Sequence, residues 1–137
     1  METLLSDSSR QLAGILFLAL VTVETGGLYL LKVSRGQQEL TPFQEKFARA
    51  GHAHAGVLLV LALVCQPFVD ATDLTGAWAW LARSGVAVSA LLMPGGFFFS
   101  SMGRGRTEPS PLIALVLAGA ALLALSLATL GVGLLAT

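Results

Sequence analysis

The chain has 137 residues, 55% of them hydrophobic and 12% charged, with a mean hydropathy of +0.78 and eight basic residues balanced by eight acidic ones. A water-soluble domain carries about 25% charged residues, so this chain has too little charge to coat a water-facing surface and the lipid bilayer is its expected partner. No basic excess exists to hold nucleic acid, and the single cysteine, Cys65, excludes an internal disulfide and a cysteine-built zinc site.

A helix needs about 20 apolar residues to cross the hydrocarbon core. Four runs meet that length, at residues 12–31, 47–68, 77–100 and 112–136. The expected fold is one all-α domain, an integral membrane four-helix bundle. Strands are not a rival, because the runs are too long for barrel strands and do not alternate. The first run carries only Glu24 as a charge. Ahead of it stand Glu2 and Asp7 against Arg10, and no small-residue cleavage site follows. It is therefore expected to remain as a span rather than leave as a signal peptide.

The first linker, VSRGQQELTPFQEK, is polar and contains a helix start: Thr41 as N-cap, Pro42 at the first helical position and Glu45 in the first turn. The second run can therefore begin as an interfacial segment. It contains RAGHAHAGVLLVLALVC, in which Cys65 reads as a small core residue. Asp70 and Asp73 follow. The third run opens with Trp78 and Trp80, whose indoles favour the headgroup region. Arg83 lies one turn further in, from where a long side chain can reach outward. SSMGRGRTEPSP reads as a loop. The fourth run has no charge, and its Gly131-Val132-Gly133 and small residues such as Ala114 and Ala118 suit close helix packing.

Basic residues set the expected orientation. Lys32, Arg35, Lys46 and Arg49 flank the first linker and Arg104 and Arg106 the third, whereas only Arg10 and Arg83 lie at the other end. The positive-inside rule then puts the first and third linkers in the cytoplasm and both termini outside. A cell-membrane, multi-pass location follows.

Three features interrupt the apolar scaffold at one level. Glu24 sits in the first run, His52 and His54 in the second, and Met93-Pro94-Gly95-Gly96 in the third. Each lies roughly five to seven residues from the cytoplasmic end, about 10 Å deep at 1.5 Å per residue. A carboxylate in hydrocarbon normally faces the bundle interior with a partner, and histidine is the expected one, since no lysine lies near that depth. Pro94 removes an amide from the helix ladder and frees the Ala90 carbonyl to accept from a ligand or a histidine. Glu24, His52, His54 and Pro94 are thus the candidates for ligand binding or proton handling. His52 and His54 are also candidate metal ligands. Residues two apart on a helix point about 200° away from each other, so one regular helix cannot aim both at one metal. The small residues around them, Ala48, Ala50, Gly51, Ala53, Ala55 and Gly56, suit either tight packing or a pocket.

The layout resembles the membrane-associated glutathione and eicosanoid-metabolism enzymes in its length, four spans, basic cytoplasmic linker and a second span opening with Glu45, Lys46, Arg49 and His52. That resemblance implies a trimer holding glutathione between subunits. The chain departs from that pattern: residues 57–64 lack the asparagine and glutamate of those enzymes, and the fourth run has no arginine or tyrosine to activate a thiol. His52-Ala53-His54 is similar to a pair in haem–copper oxidase helices. With two histidines in all, this chain cannot build that centre alone.

Three functions remain open. The first is a Glu24–His54 site on the cytoplasmic side that binds a small ligand, proton or metal, in a homo-oligomer or a subunit of a membrane complex. The second is an enzyme acting on a lipid-soluble substrate, with a histidine as base and Glu24 orienting it. The third is a structural accessory subunit. No cofactor is specified by the residues.

Overall fold

The computed structural model describes residues 4–136; Glu2, weighed above, lies outside them. The chain forms four long helices: α1 (Asp7–Ser34), α2 (Pro42–Asp70), α3 (Gly76–Ser101) and α4 (Ala114–Leu135). A single 3-10 turn, Pro111–Ile113, leads into α4, and no strand occurs among the described residues. All four helices are long and apolar enough to cross a membrane.

The first two helices run well past their apolar runs because their polar ends are capped. Ser6 accepts from the Ser9 amide, and Asp7 places a negative charge in the first turn of α1. At the other end the Gly36 amide bonds the Val33 carbonyl and the Gln37 amide the Lys32 carbonyl, the pairing of a Schellman stop. That stop needs a left-handed residue, supplied by Gly36 at φ +68°. Thr41 and Pro42 start α2 as expected, and Thr41 forms a reciprocal capping box with Gln44. The opening of α2 is continuous with the rest of the helix. Its Gln44 Nε2 donates to the Ser101 carbonyl (3.0 Å) and the Gly103 carbonyl (2.6 Å), so the first turn of α2 is bonded to the end of α3.

Packing follows chain order: α1 on α2, α2 on α3, α3 on α4. Among the described residues α1 and α4 do not pack on each other, so the arrangement is a row of helices with α2 and α3 at its centre. The core runs from Leu16 through Leu58, Leu59, Ala62 and Cys65 to Ala82, Val86, Ala90 and Leu130. Cys65 is buried, as its apolar surroundings suggest. Glycines line the α3–α4 seam and let the two helices approach closely. A Cβ on Gly96 would come within 2.7 Å of the Val116 amide nitrogen, and one on Gly119 within 2.5 Å of Met93. Gly133 lies on Leu74, whereas Gly131 has no neighbour within 4 Å.

Pro94 does not break α3, which stays helical through Ser101. Close packing supplies the reason: Pro94 is buried, and its neighbours Met93 and Gly96 are held against α4.

Candidate functional site

His52 lies between α1 and α2, and two consecutive glycines make room for it. A Cβ on Gly26 would come within 3.1 Å of its Nδ1, and one on Gly27 within 3.6 Å of its Nε2. Any side chain other than glycine at residue 26 would crowd the ring. Neither ring nitrogen has a hydrogen-bond partner among the described residues. Two grooves reach the imidazole. One, of about 210 Å³, faces α3 and is lined by Thr22, Thr25, Gly26, Ala55 and Phe98. The other, of about 400 Å³, opens on the opposite flank between Val23, Gly56, Val57 and Val60.

Both threonines of the first groove spend their hydroxyls on the helix, Thr22 on the Ala19 carbonyl (2.7 Å) and Thr25 on the Thr22 carbonyl (2.6 Å). Their oxygens remain able to accept, so the groove offers acceptors beside a histidine. Phe98 covers Gly51, with ring carbons 3.0–3.2 Å from where a Cβ would stand. The same ring also lines a cavity of about 260 Å³ at the linker end, beside Tyr29, Gln44 and Ser101. Phe98 is thus the wall between the linker-end cavity and the His52 groove.

His54 points elsewhere. Its Nδ1 lies 2.7 Å from the Ala50 carbonyl oxygen. A carbonyl only accepts, so Nδ1 carries the proton and Nε2 is left as acceptor in the neutral ring. The ring stacks obliquely on Phe97 of α3, with centroids 5.0 Å apart, and Phe97 in turn meets Phe47 edge-on. The expected Glu24–His54 pair is therefore corrected: α2 turns His52 toward α1 and His54 toward α3, as their angular separation requires.

Glu24 is exposed on α1 and has no hydrogen-bond or ion-pair partner among the described residues. Thr22 lines the groove toward α3, and Glu24 lies about 200° further round the helix. That puts it on the flank onto which the Val57–Val60 groove opens, one turn from Gly27 and the His52 ring. Pro94 is buried in α3, one turn from buried Ala90 on the same face of the helix. Its side chain has no polar atom, and the ring that meets His54 from α3 is Phe97. The two imidazoles diverge, and no group of three or more His, Cys, Asp or Glu among the described residues is placed to hold a metal ion.

A second polar cluster, not anticipated from the sequence, ties the opposite end together. Arg83 Nη1 donates to Asp70 Oδ1 (2.9 Å), to Ser6 Oγ (3.1 Å) and to Ser9 Oγ. Asp70 also accepts from the Ser6 amide (2.9 Å), Ser6 Oγ (2.8 Å) and Ser9 Oγ (3.0 Å). Arg83 thus reaches from one turn inside α3 toward the outer ends of α1 and α2, where Ser6, Ser9 and Asp70 receive it. The pair is mostly buried, with side chains 19% and 15% exposed. One turn deeper, fully buried Gln66 donates to the Ala62 carbonyl (2.8 Å) and the Arg83 carbonyl (3.1 Å). Its Oε1 has no partner among the described residues. Spacing along single helices carries no sign of this cluster, because its members come from three of them.

No family model, curated protein or solved structure matches this chain.

Proposed function

We propose that the chain is a four-span membrane protein in which His52 binds a proton or a small polar ligand between α1, α2 and α3, on the cytoplasmic side of the bilayer. The observation that carries this reading is the unpartnered His52 ring on Gly26 and Gly27, open to grooves on both flanks. A histidine kept only to bond helices together would spend its ring nitrogens on acceptors of a neighbouring helix, and His52 makes no such bond among the described residues. The basic linkers support the side, since six of eight cations cluster at the end nearer His52. Glu24, on the same flank as the larger groove, is the carboxylate of this helix pair available to exchange a proton.

The test is nitrogen-15 histidine NMR on the protein in lipid. His52 is expected to change protonation with pH, and to shift on addition of zinc chloride if a metal is the ligand. His54 is expected to keep its Nδ1–H tautomer while neutral. A His52 signal indifferent to both pH and zinc overturns the proton and metal readings together.

A second reading has one observation in its favour. The larger groove beside His52 is walled by Val23, Val57 and Val60 and opens on an apolar flank. A lipid-soluble substrate could reach the imidazole from there, with His52 as base. Covalent labelling of His52 by a photoreactive acyl chain, absent in His52→Ala, would favour that enzyme over the proton site.

A further inference from the structure

We propose that a second copy of this chain packs on the flank shared by α1 and α2, so that Glu24 of each copy meets His52 of the other. The inference rests on the membrane-spanning reading above and adds a partner to the same site. Its starting point is Glu24, an exposed carboxylate in the middle of an apolar helix, with no partner among the described residues. Such a group in hydrocarbon is normally covered by protein that offers it a donor. α1 packs chiefly on α2, so the covering protein must come from outside the chain.

Charge and depth select the occupant. The groove beside Glu24 is lined by Val23, His52, Ala53, Gly56, Val57 and Val60, in which His52 is the single hydrogen-bonding side chain. Cross-helix contacts give the register: Gly26 lies on His52, and Val23 lies 3.9 Å from a Cβ position on Gly56. Residue 24 is therefore level with about residue 55, within one turn of His52. A two-fold axis parallel to the helices preserves depth, so it brings Glu24 of one copy to the His52 groove of the other, and reciprocally. Ala53 and Gly56 let a facing helix approach closely. The exposed side chains around the groove, Phe17, Val21, Val57 and Val60, are all apolar and would close over the two Glu–His contacts. The groove facing α3, beside Thr22 and Phe98, stays open for a ligand.

The test uses two differently tagged chains, both carrying Cys65→Ala, one with Val21→Cys and the other with Val57→Cys. Both substituted positions are exposed, at 60% and 68%, and they face each other across the proposed axis. Oxidation in native membranes is expected to give a disulfide between unlike tags when the chains are co-expressed. Neither chain alone should give one. Glu24→Ala or His52→Ala should weaken the dimer about three- to tenfold, and combining them should cost no more than either alone. Native mass spectrometry of the unsubstituted protein from nanodiscs gives the oligomeric state without cysteine variants. A monomer there, or a dimer insensitive to both substitutions, overturns the proposal. A monomer whose His52 still responds to pH overturns the dimer and leaves the site reading intact. A Glu24-dependent dimer whose His52 ignores pH and zinc supports the interface and removes the site reading instead.

Discussion

The His52 imidazole rests on the backbone of Gly26, so close that a Cβ there would stand 3.1 Å from Nδ1. That contact makes glycine at residue 26 a requirement of the ring's position. Gly26→Ala is expected to displace the ring and destabilise the α1–α2 pair by about 1 kcal/mol, the low end of overpacking costs. Gly14→Ala, where nothing lies within 4 Å, serves as the control and should be neutral or slightly stabilising. Thermal unfolding in detergent measures both, and the NMR signal of His52 should move only in the first. An unmoved signal in Gly26→Ala would show that the cradle does not position the ring.

Phe98 separates the linker-end cavity from the His52 groove. Phe98→Ala should join the two spaces and admit water to His52 from the linker end. Modification of His52 by diethyl pyrocarbonate is expected to speed up several-fold, with His54 unchanged behind Phe97. Removing a half-exposed aromatic side chain should cost about 1–2 kcal/mol, less than the 3–5 typical of a fully buried one. Equal labelling rates in the variant and the parent would mean that Phe98 is no barrier.

At the opposite end, Arg83 and Asp70 join α1, α2 and α3 through one mostly buried ion pair. Removing one partner leaves the other desolvated and uncompensated. Arg83→Ala is expected to lower stability by about 2–3 kcal/mol, and Asp70→Ala by a similar amount. The double variant should be less damaged than the sum of the two, since neither charge is then stranded. Unfolding measured across this four-protein cycle checks the coupling; strict additivity would show that the pair contributes nothing as a pair.

Much of the fold was legible because lipid-compatible helices leave a coarse signal. The first three apolar runs each lie inside one helix, the fourth overhangs α4 slightly at both ends, and Thr41, Pro42 and Glu45 sit at the start of α2 as their types require. The first run understated its helix, since capped polar turns at Ser6 and Gly36 extend α1 beyond it. Pro94 removes an amide from the ladder, yet α3 continues through it as one helix, packed on α4 at Met93 and Gly96. The angular divergence of His52 and His54 was readable from helical geometry alone. Which of them faces α1 was not, because helix periodicity orders residues around an axis without saying which neighbour occupies each side.

By itself, the sequence determined four apolar helices, their charge asymmetry and the positions of Glu24, His52 and His54 along them. Those properties depend on local composition and on a fixed rise per residue. Tertiary structure alone decided that His52 is cradled by Gly26 and Gly27, that His54 is spent on Ala50 and Phe97, and that Glu24 faces outward. It also assembled Ser6, Ser9, Asp70 and Arg83 into one cluster. The reason is that each of these facts concerns the rotation of one helix against another, and that rotation is set by which small residues allow close approach along the whole length of the seam.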